Sequence, residues 1–457
     1  MKDTGKILTL LFFGVFLGAL DISIAGPALA AIAEDIRVPQ QQLSLIFTLY
    51  ILSNLSGLPF LSRLSDLAGR RLVFRLGLWI FLAGSLITAM AESAVILFVG
   101  RALQGLGAAG IFPVATAVIG DVFPPEKRGR ALGTIGAVFG IAFMLGPPMA
   151  ALILKYLSWH YLFLFNIPVA LIILAFSGRL PGKTMNHQIS FNLPGIVLMA
   201  VFLVFFTLTF TYSKITWPLH FLEKIRLEDW YPVFMVLFLV LLLAHEKNAE
   251  NPVLNIHFLR IRQVLLAGLL ALGLGVSQSV FVFIPRITME VFAVPVWKAG
   301  LMIMPAILGS AVASPLAGRM IDKLGSKIVI SAGLTLAALG FILYSRMGDK
   351  LYWFYFSGIL TGIGLAIRPG LNYIILNEAG ALYRATAQGV LTVYVSMGQI
   401  AGTAFTGNML SAGKNWKTAF LWIGIFIALL AIASAGLKPR ASETREMVFE
   451  TSSERPG

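Results

Sequence analysis

Long uninterrupted runs of apolar residues occur along almost the whole chain and limit what it can fold into. The runs are roughly 16 to 28 residues long, and short segments rich in charged residues, Gly and Pro separate them. About 20 apolar residues cross a bilayer as an α-helix, whereas the strands of a membrane barrel alternate apolar and polar residues over about ten positions. Because these runs do not alternate, the sequence predicts an all-α integral membrane protein.

Fourteen runs are long enough to be predicted as transmembrane helices. They lie near 7–33, 41–61, 72–90, 94–119, 131–154, 160–177, 193–212, 230–245, 262–289, 297–317, 329–345, 352–376, 386–410 and 418–437. The 35 Lys and Arg residues fall mainly in the segments on the same side of this bundle as the two termini. Since short cytoplasmic segments carry the excess of positive charge, we expect both termini in the cytoplasm.

The start of the chain also imitates a secretory signal. Lys2 and Lys6 precede the first apolar run, and a segment of small residues at 27–30 resembles a cleavage site. We expect the run to remain as the first transmembrane helix, because it is long for a signal peptide and contains Asp21.

Charge and composition exclude several other classes of protein. Charged residues make up 12% of the chain, compared with about 25% in soluble domains. The net charge of +14 comes from basic residues that border the apolar runs, so we expect no nucleic-acid binding. The chain has no cysteine, and its five histidines lie at helix ends or in loops without metal-ligand spacing. We therefore expect neither disulfides nor a metal site.

One loop sequence occurs twice. Residues 62–71 follow the second predicted helix and residues 318–327 follow the tenth, and each loop contains an aspartate, Asp66 or Asp322. The chain therefore reads as two related halves, an organisation known from transporters. The predicted domains are a six-helix half in 1–178, two inserted helices in 190–250, a second six-helix half in 256–437 and a disordered polar tail in 438–457.

Both repeated loops resemble the signature loop of the major facilitator superfamily, although Ser62 and Leu67 depart from its usual residues. Further segments are similar to motifs of the fourteen-span drug:proton antiporter branch of that family: 20–29, 101–107, 123–129, 159–168 and 251–254. In the fifth predicted helix, Gly133, Gly146 and Pro147 match the antiporter motif. The resemblance extends from residue 7 to about residue 437 and implies the major facilitator fold, with two extra helices between the halves.

The repeated loops also supply the predicted cytoplasmic gate. Charges beside helix ends can hold neighbouring helices together in one state and release them in another, although the same charges could serve only to set the topology. The expected gate residues are Asp66, Gly69, Arg70, Arg71, Asp322, Gly325 and Lys327.

Asp21 is the only acidic residue within the predicted transmembrane runs. A charge in the bilayer core is costly, so we expect Asp21 to face a cavity or a partner. Counted at about 1.5 Å per residue, Asp21 and Arg101 fall at a similar depth in the outer half of the bilayer, and the resemblance implies that their helices line a central cavity. We expect Arg101 and a proton to compete for Asp21; the alternative is a static ion pair.

Other polar or aromatic residues within the runs are candidates for a mostly apolar substrate cavity, although each could instead join two helices by a hydrogen bond. They are Tyr50, Asn54, Gln104, Gln278, Arg368, Asn372, Tyr394 and Gln399.

The resemblance implies a proton-coupled exporter of lipophilic or amphiphilic small molecules that works by alternating access. Since Asp21 is the only acid within the runs, we expect a neutral, anionic or at most monocationic substrate. The absence of a phosphate-binding loop indicates a proton gradient as the energy source, with no cofactor. Open alternatives are a dedicated exporter of one product, such as a siderophore, lipid or peptide, and a proton symporter for uptake. An enzyme is not expected, because the runs contain no cluster of His, Asp, Glu or Ser.

The apolar runs and the family resemblance also predict the location and the partners of the protein. We expect a multi-pass protein of a bacterial inner or plasma membrane, whose partners are its substrate, protons and lipids. No protein partner is required, and a periplasmic adaptor is the one left open.

Overall fold

All regular secondary structure in the described part of the chain is helical. This computed structural model describes residues 4–37, 45–182, 192–211, 230–249, 252, 261–294, 296–348, 350–379, 383–411 and 416–439. The helices of the first half and of the inserted pair are α1 (Thr4–Asp35), α2 (Leu45–Ala68), α3 (Arg70–Ala89), α4 (Ala94–Ala109), α5 (Phe112–Val122), α6 (Pro125–Tyr156), α7 (His160–Leu164), α8 (Asn166–Phe176), α9 (Leu193–Thr211) and α10 (Tyr231–Asn248). Those that follow are α11 (Arg262–Ser279), α12 (Ile284–Phe292), α13 (Val296–Leu301), α14 (Met304–Leu324), α15 (Ser326–Arg346), α16 (Leu351–Gly364), α17 (Arg368–Glu378), α18 (Arg384–Ser411) and α19 (Trp416–Ala433).

The all-α membrane architecture is confirmed, but the count of fourteen spans is not. Within the described ranges, 12 helical segments are long and apolar enough to cross a membrane. The ninth and thirteenth predicted spans correspond to α11 and α18, which are helical but fall short of that apolarity. Glycine, glutamine and hydroxyl residues reduce the apolar content of both helices, for example Gln263 and Gln278 in α11.

Large apolar side chains remain exposed along the outer faces of the helices. Leu152, Val312 and Ile432 are 62%, 64% and 71% exposed. Side chains of this kind on the surface of a folded chain are solvated by lipid tails in a membrane, and helices satisfy their backbone hydrogen bonds internally there. The protein is therefore a multi-pass membrane protein.

The fourth predicted helix and its counterpart in the second half are both interrupted. The break between α4 and α5 precedes Pro113, and the break between α16 and α17 precedes Pro369. Each proline is the second residue of the new helix and has no N–H to donate to the carbonyl four residues earlier. The two halves thus share an interruption that the sequence repeat did not reveal.

The two repeated loops also adopt the same backbone conformation. Gly69 separates α2 from α3 with φ of 99°, and Gly325 separates α14 from α15 with φ of 89°. Residues with a Cβ adopt such angles rarely. The glycines break the helices at the same point of each repeat and so place Asp66 and Asp322 in the last turn of the preceding helix.

The chain divides into two compact units whose segments alternate along the sequence. The first comprises Met1–Val122, Ile141–Phe258 and Ala379–Val393; the second comprises Phe123–Gly140, Leu259–Glu378 and Tyr394–Gly457. In the first unit α4 packs against α2 and α3, and the inserted pair α9 and α10 packs together with α9 against α2. In the second unit α15 packs against α16 and α19. The predicted domain boundaries stay predictions, and the tail predicted in 438–457 lies outside the described residues except for Lys438 and Pro439.

Candidate functional site

A buried ion pair joins α1 and α4 within the first unit. Arg101 donates from Nη1 to Oδ2 of Asp21 over 2.6 Å, and both side chains are 0% exposed. The two residues predicted to lie at the same depth are therefore in direct contact. A buried carboxylate is tolerated only where a positive partner and hydrogen-bond donors replace water.

Two amides complete the surroundings of the carboxylate. Gln104 donates to Oδ1 of Asp21 over 2.9 Å, and Asn166, at the start of α8, donates to the same oxygen over 2.8 Å. The Gln104 amide also donates to the Ser85 hydroxyl over 2.9 Å, which joins α3 to the cluster. The carboxylate thus accepts three hydrogen bonds from donors on two helices other than its own.

The guanidinium of Arg101 is held on its other sides by α2 and by aromatic rings. Its Nε donates to the carbonyl of Ile46 over 3.2 Å, and its Nη1 also donates to Oε1 of Gln104 over 2.8 Å. The guanidinium carbon lies 4.6 Å from the centre of the Tyr50 ring and 5.6 Å from that of Phe163. Such contacts favour a cation. No acceptor among the described residues reaches Nη2.

The cavity residues predicted in the first half have other contacts. Gln104 and Tyr50 belong to the Asp21–Arg101 cluster, where both are buried. Asn54 donates to the carbonyl of Gly105 over 3.2 Å and so joins α2 to α4.

In the second unit, Gln399 of α18 donates to Gln278 of α11 over 2.9 Å. The ring of Tyr394 packs on Gly268, since a Cβ built at that glycine would lie 3.1 Å from the ring. Arg368 lies over the ring of Phe139, with 5.5 Å from the guanidinium carbon to the ring centre, and Asn372 is buried. Whether any of these residues contacts substrate stays a prediction.

The first predicted gate loop surrounds the start of α18. Asp66 accepts hydrogen bonds from the backbone N–H groups of Ala385 and Thr386 over 3.1 and 2.8 Å, and from the Thr386 hydroxyl. Arg70 forms a close ion pair with the same carboxylate. A carboxylate at a helix N-terminus is stabilised by the unpaired N–H groups there. Asp66 therefore joins the N-terminal start of α18 to the C-terminal end of α2.

A second carboxylate extends this cluster, and the sequence reasoning missed it. Asp121 accepts from Arg70 over 2.9 Å and from Arg384 over 2.9 Å, so it bridges the start of α3 to the start of α18. Its position at the end of α5, just before the motif in 123–129, was the available signal. Arg71 instead donates to the carbonyl of Leu180 over 2.7 Å.

The second gate loop makes a matching contact within the second unit. Asp322 accepts from the backbone N–H groups of Gly129 and Arg130, each over 2.9 Å, in the second turn of α6. Lys327 donates to the carbonyl of Ala435 over 2.6 Å and does not approach this contact. Both repeated aspartates thus bind backbone N–H groups near the beginning of a long helix.

The antiporter motif lies along α6 at close helix contacts. A Cβ built at Gly133 would lie 2.7 Å from the carbonyl of Ser314, in the second unit. A Cβ at Gly146 would lie 1.9 Å from the hydroxyl of Ser23, so only glycine fits there without displacement, in the first unit. Ser23 follows Asp21 by two residues and donates to the carbonyl of Ala142 over 3.0 Å. Pro147 follows Gly146 within the same helix.

Three further polar residues were missed or misplaced from sequence. Ser85 and Asn166 are buried against the Asp21 carboxylate cluster; Asn166 lies in the segment 159–168, where an amide beside Pro168 in an apolar run was the signal. Glu246 was placed beyond the eighth predicted span, which ended at 245. It lies within α10 and is 3% exposed, so Asp21 is not the only buried acid of the described helices.

The Asp21 carboxylate can in principle bind either Arg101 or a proton. Protonation of Asp21 would remove the charge that holds Arg101, while the guanidinium keeps its contacts with Ile46 and the two rings. The described residues around the carboxylate include no group of metal ligands.

Comparisons with known proteins agree with this architecture. The Major Facilitator Superfamily model matches residues 11–310 and 299–452. An uncharacterized MFS-type transporter YfiU of Bacillus subtilis (strain 168) is 30% identical over 90% of this chain and 81% of its own length. Multidrug resistance protein 3 of the same organism is 27% identical over 87% of this chain and 78% of its own.

Two further comparisons indicate how broad the likeness is. The riboflavin transporter RibZ of Clostridioides difficile (strain 630) is 24% identical over 92% of this chain and 91% of its own. The crystal structure of the human organic anion transporter MFSD10 (TETRAN) has a TM-score of 0.68 at 18% identity, over 94% of this chain and 98% of that one. The latter likeness shows the fold alone.

The 12 membrane-spanning helical segments of the described ranges, the two repeated loops and the family match all support one assignment. The chain is therefore a transporter and not an enzyme, and it belongs to the Major Facilitator Superfamily, with relatives in its multidrug-efflux-like branch.

Proposed function

We propose that this protein is a proton-coupled exporter of lipophilic or amphiphilic small molecules in the cell membrane, with both termini in the cytoplasm. The observation that carries the proposal is the Asp21–Arg101 pair, in which a carboxylate with no exposed surface is bound by a single cation and two amides. Protonation of Asp21 releases Arg101, and deprotonation restores the pair. A step that alternates between these states can couple proton entry to a change of helix position.

The energy supply is consistent with this role. Each proton that enters releases about 2.3 kcal/mol per 100 mV of membrane potential, and no cofactor is needed. The loops containing Asp66 and Asp322 form the proposed gate, because both carboxylates hold helix starts through backbone N–H groups that a moving helix can leave. Substrate, protons and lipids are the proposed partners.

Transport in proteoliposomes tests the proposal. An imposed pH gradient should drive uptake of a lipophilic monocationic dye by inside-out wild-type protein. Asp21→Asn should abolish the dependence on the pH gradient and retain dye exchange at equal pH on both sides. Asp35→Asn is the matched control, since it makes the same change at an exposed position of the same helix and keeps an oxygen for the Trp159 indole.

Dye transport by Asp21→Asn that still follows the pH gradient in full would contradict the assigned role. If Asp21→Asn loses exchange as well, proton release from purified protein on dye addition decides the matter. Wild type should release protons and Asp21→Asn should not.

A second function is a dedicated transporter of one compound, and the relative named as a riboflavin transporter favours it. Competition separates the two functions. A multidrug exporter should move several unrelated dyes that inhibit one another at similar concentrations. A dedicated transporter should move one flavin-like compound and leave the dyes untouched.

A further inference from the structure

The Asn166 amide uses only one of its two polar atoms in the Asp21 cluster. Its Nδ2 donates to Oδ1 of Asp21 over 2.8 Å and lies 3.4 Å from the Ser85 hydroxyl. Its Oδ1 is also buried, but no donor among the described residues reaches that oxygen. A buried acceptor without a donor costs free energy, so its presence requires an explanation.

The sequence places this amide at an interruption between two helices. α7 ends at Leu164, and α8 begins at Asn166. Pro168 has no N–H to donate to the carbonyl of Leu164, which lies four residues earlier. Asn166 is therefore the first residue of α8, and α8 packs against both α1 and α3. From this position the amide reaches Asp21 of α1 and Ser85 of α3.

All three side chains that bind the Asp21 carboxylate do so as donors. Arg101 donates to Oδ2, and Gln104 and Asn166 both donate to Oδ1. This arrangement suits a carboxylate, but a protonated carboxyl has an O–H group that must itself donate. A buried O–H that points at another donor is left unpaired, which is costly in a low-dielectric interior. A stable protonated state therefore requires that one neighbour become an acceptor.

Gln104 cannot become that acceptor without losing other hydrogen bonds. Its Oε1 accepts from Arg101 over 2.8 Å and from the Thr88 hydroxyl over 3.4 Å. Its Nε2 also donates to the Ser85 hydroxyl over 2.9 Å. A reversed Gln104 amide would turn its nitrogen toward the guanidinium, where two donors would meet. Arg101 itself has no acceptor atom.

The Asn166 amide can reverse without such losses. The last torsion of an Asn side chain is roughly two-fold, so a half-turn exchanges the positions of its oxygen and nitrogen. Oδ1 would then occupy the place of Nδ2, where both Asp21 and the Ser85 hydroxyl can donate to it. Nδ2 would occupy the place of an atom that has no partner before the reversal, so no bond to a further group is broken.

The groups around the carboxylate leave few other acceptors for its proton. Arg101 is the charged side chain in contact with Asp21, and the titratable ring of Tyr50 lies 4.6 Å from the guanidinium carbon. α3 and α8 contribute the neutral Ser85 hydroxyl and Asn166 amide. α5 and α7, which also pack against α1, form no charged contact with Asp21 among the described residues. The acceptor must therefore be a neutral group.

We propose that Asn166 is a positioning residue for the proton on Asp21: its amide reverses when Asp21 is protonated and accepts the hydrogen bond of the new O–H group. A lone pair of Oδ1 of Asp21 forms the O–H bond with a proton taken from water, and no covalent bond of the amide changes. The reversed amide holds the neutral carboxyl in place while Arg101 is released. The inference rests on the proposed proton coupling at Asp21.

Infrared difference spectra between high and low pH, recorded in lipid nanodiscs, test the reversal directly. Protonation should produce a carboxyl C=O band that is missing in Asp21→Asn. The C=O band of the Asn166 amide should move to lower wavenumber at the same time, because its oxygen gains hydrogen bonds. Asn166→Leu should lack this moving amide band. Asn54→Leu is the matched control and should keep the band, since Asn54 binds the carbonyl of Gly105 and not Asp21.

Transport gives a second measurement. In proteoliposomes with an imposed pH gradient, Asn166→Leu should lower dye uptake at least about tenfold, because the O–H of the protonated carboxyl then has no acceptor. Dye exchange at equal pH on both sides should be retained, since the ion pair with Arg101 is kept. In the same variant the carboxyl band of Asp21 should lie at higher wavenumber than in wild type, as expected for an O–H without an acceptor.

The possible results separate this inference from the proposed function. If the carboxyl band of Asp21 appears but the amide band does not move, or if Asn166→Leu follows the pH gradient as wild type does, Asn166 has no such role while proton coupling stands. If no carboxyl band depends on Asp21, both are overturned. Should Asn166→Leu fail to fold, wild-type protein grown with asparagine labelled by a heavy carbon isotope at its side-chain carbonyl decides: an asparagine band that moves on protonation supports the reversal, and unmoved bands refute it.

Discussion

The Asp21–Arg101 pair leads to a prediction about stability that is independent of any transport assay. In Asp21→Asn, Arg101 stays buried and loses its only carboxylate partner among the described contacts. A carboxyl can be neutralised by a proton, but a guanidinium cannot lose its charge at any accessible pH. Breaking a buried pair in this way costs about 3–5 kcal/mol. We therefore expect Asp21→Asn to destabilise the protein more than Arg101→Met does.

The double variant Asp21→Asn/Arg101→Met should recover most of that loss. Replacing both members of a buried pair by groups of similar volume is often neutral, because no charge is left without a partner. The amides of Gln104 and Asn166 can still donate to the oxygen of the new Asn side chain. We expect a coupling free energy of about 2–3 kcal/mol between the two positions.

The midpoint of thermal unfolding in lipid nanodiscs measures this effect, with the fluorescence of the 8 tryptophans as the signal. Because an unfolding entropy of about 2.1 cal/mol/K per residue over 457 residues makes 1 kcal/mol worth about 1 °C, Asp21→Asn should lower the midpoint by about 3–5 °C, and the double variant should lie within about 2 °C of wild type. Asp35→Asn serves again as the exposed control on α1. Additive losses in the double variant would refute the reasoning, since they would mean that the two charges do not depend on each other.

Three further outcomes follow from other contacts. Gly146→Ala should reduce the transport rate strongly, because its Cβ would clash with the hydroxyl of Ser23, and adding Ser23→Gly should restore part of the rate. An unchanged rate for Gly146→Ala would show that transport does not depend on this close helix contact. Asp322→Ala should lower transport about tenfold at unchanged expression, since two N–H groups of α6 lose their acceptor at a cost of about 1–3 kcal/mol; full activity would exclude a gate role. Gln278→Leu and Gln399→Leu should each lower the unfolding midpoint while the double variant recovers it, and a loss of substrate affinity in the stable double variant would instead assign both amides to the cavity.

Several features of this protein follow from sequence because they depend on local composition. Apolar run length determines which segments cross the membrane, and most predicted runs coincide with helices. The repeat around Asp66 and Asp322 indicated matching loops, and the positive φ of Gly69 and Gly325 agrees with it. The depth of Asp21 and Arg101 could be counted because a helix rises by a constant distance per residue.

Other features required the tertiary structure, because they depend on which faces of distant helices meet. Gln104 and Tyr50 were predicted as cavity residues, and only the structure shows that they pack around the Asp21 pair, since a polar side chain in a span can contact a ligand or another helix equally well. Their contact with substrate stays a prediction. The count of fourteen spans is not confirmed, because α11 and α18 are helical but less apolar than the other 12 segments.

Asp21 of α1 and Glu246 of α10 show the difference most clearly. Asp21 could be recognised from sequence alone, because a charge within an apolar run has few explanations other than function. Glu246 lies at the end of such a run, where a solvated charge is common, and nothing local distinguishes it. Only the tertiary structure buries it, against Asn192 and Gly195 at the start of α9, because burial depends on neighbours far away in the chain and not on the residues next to it.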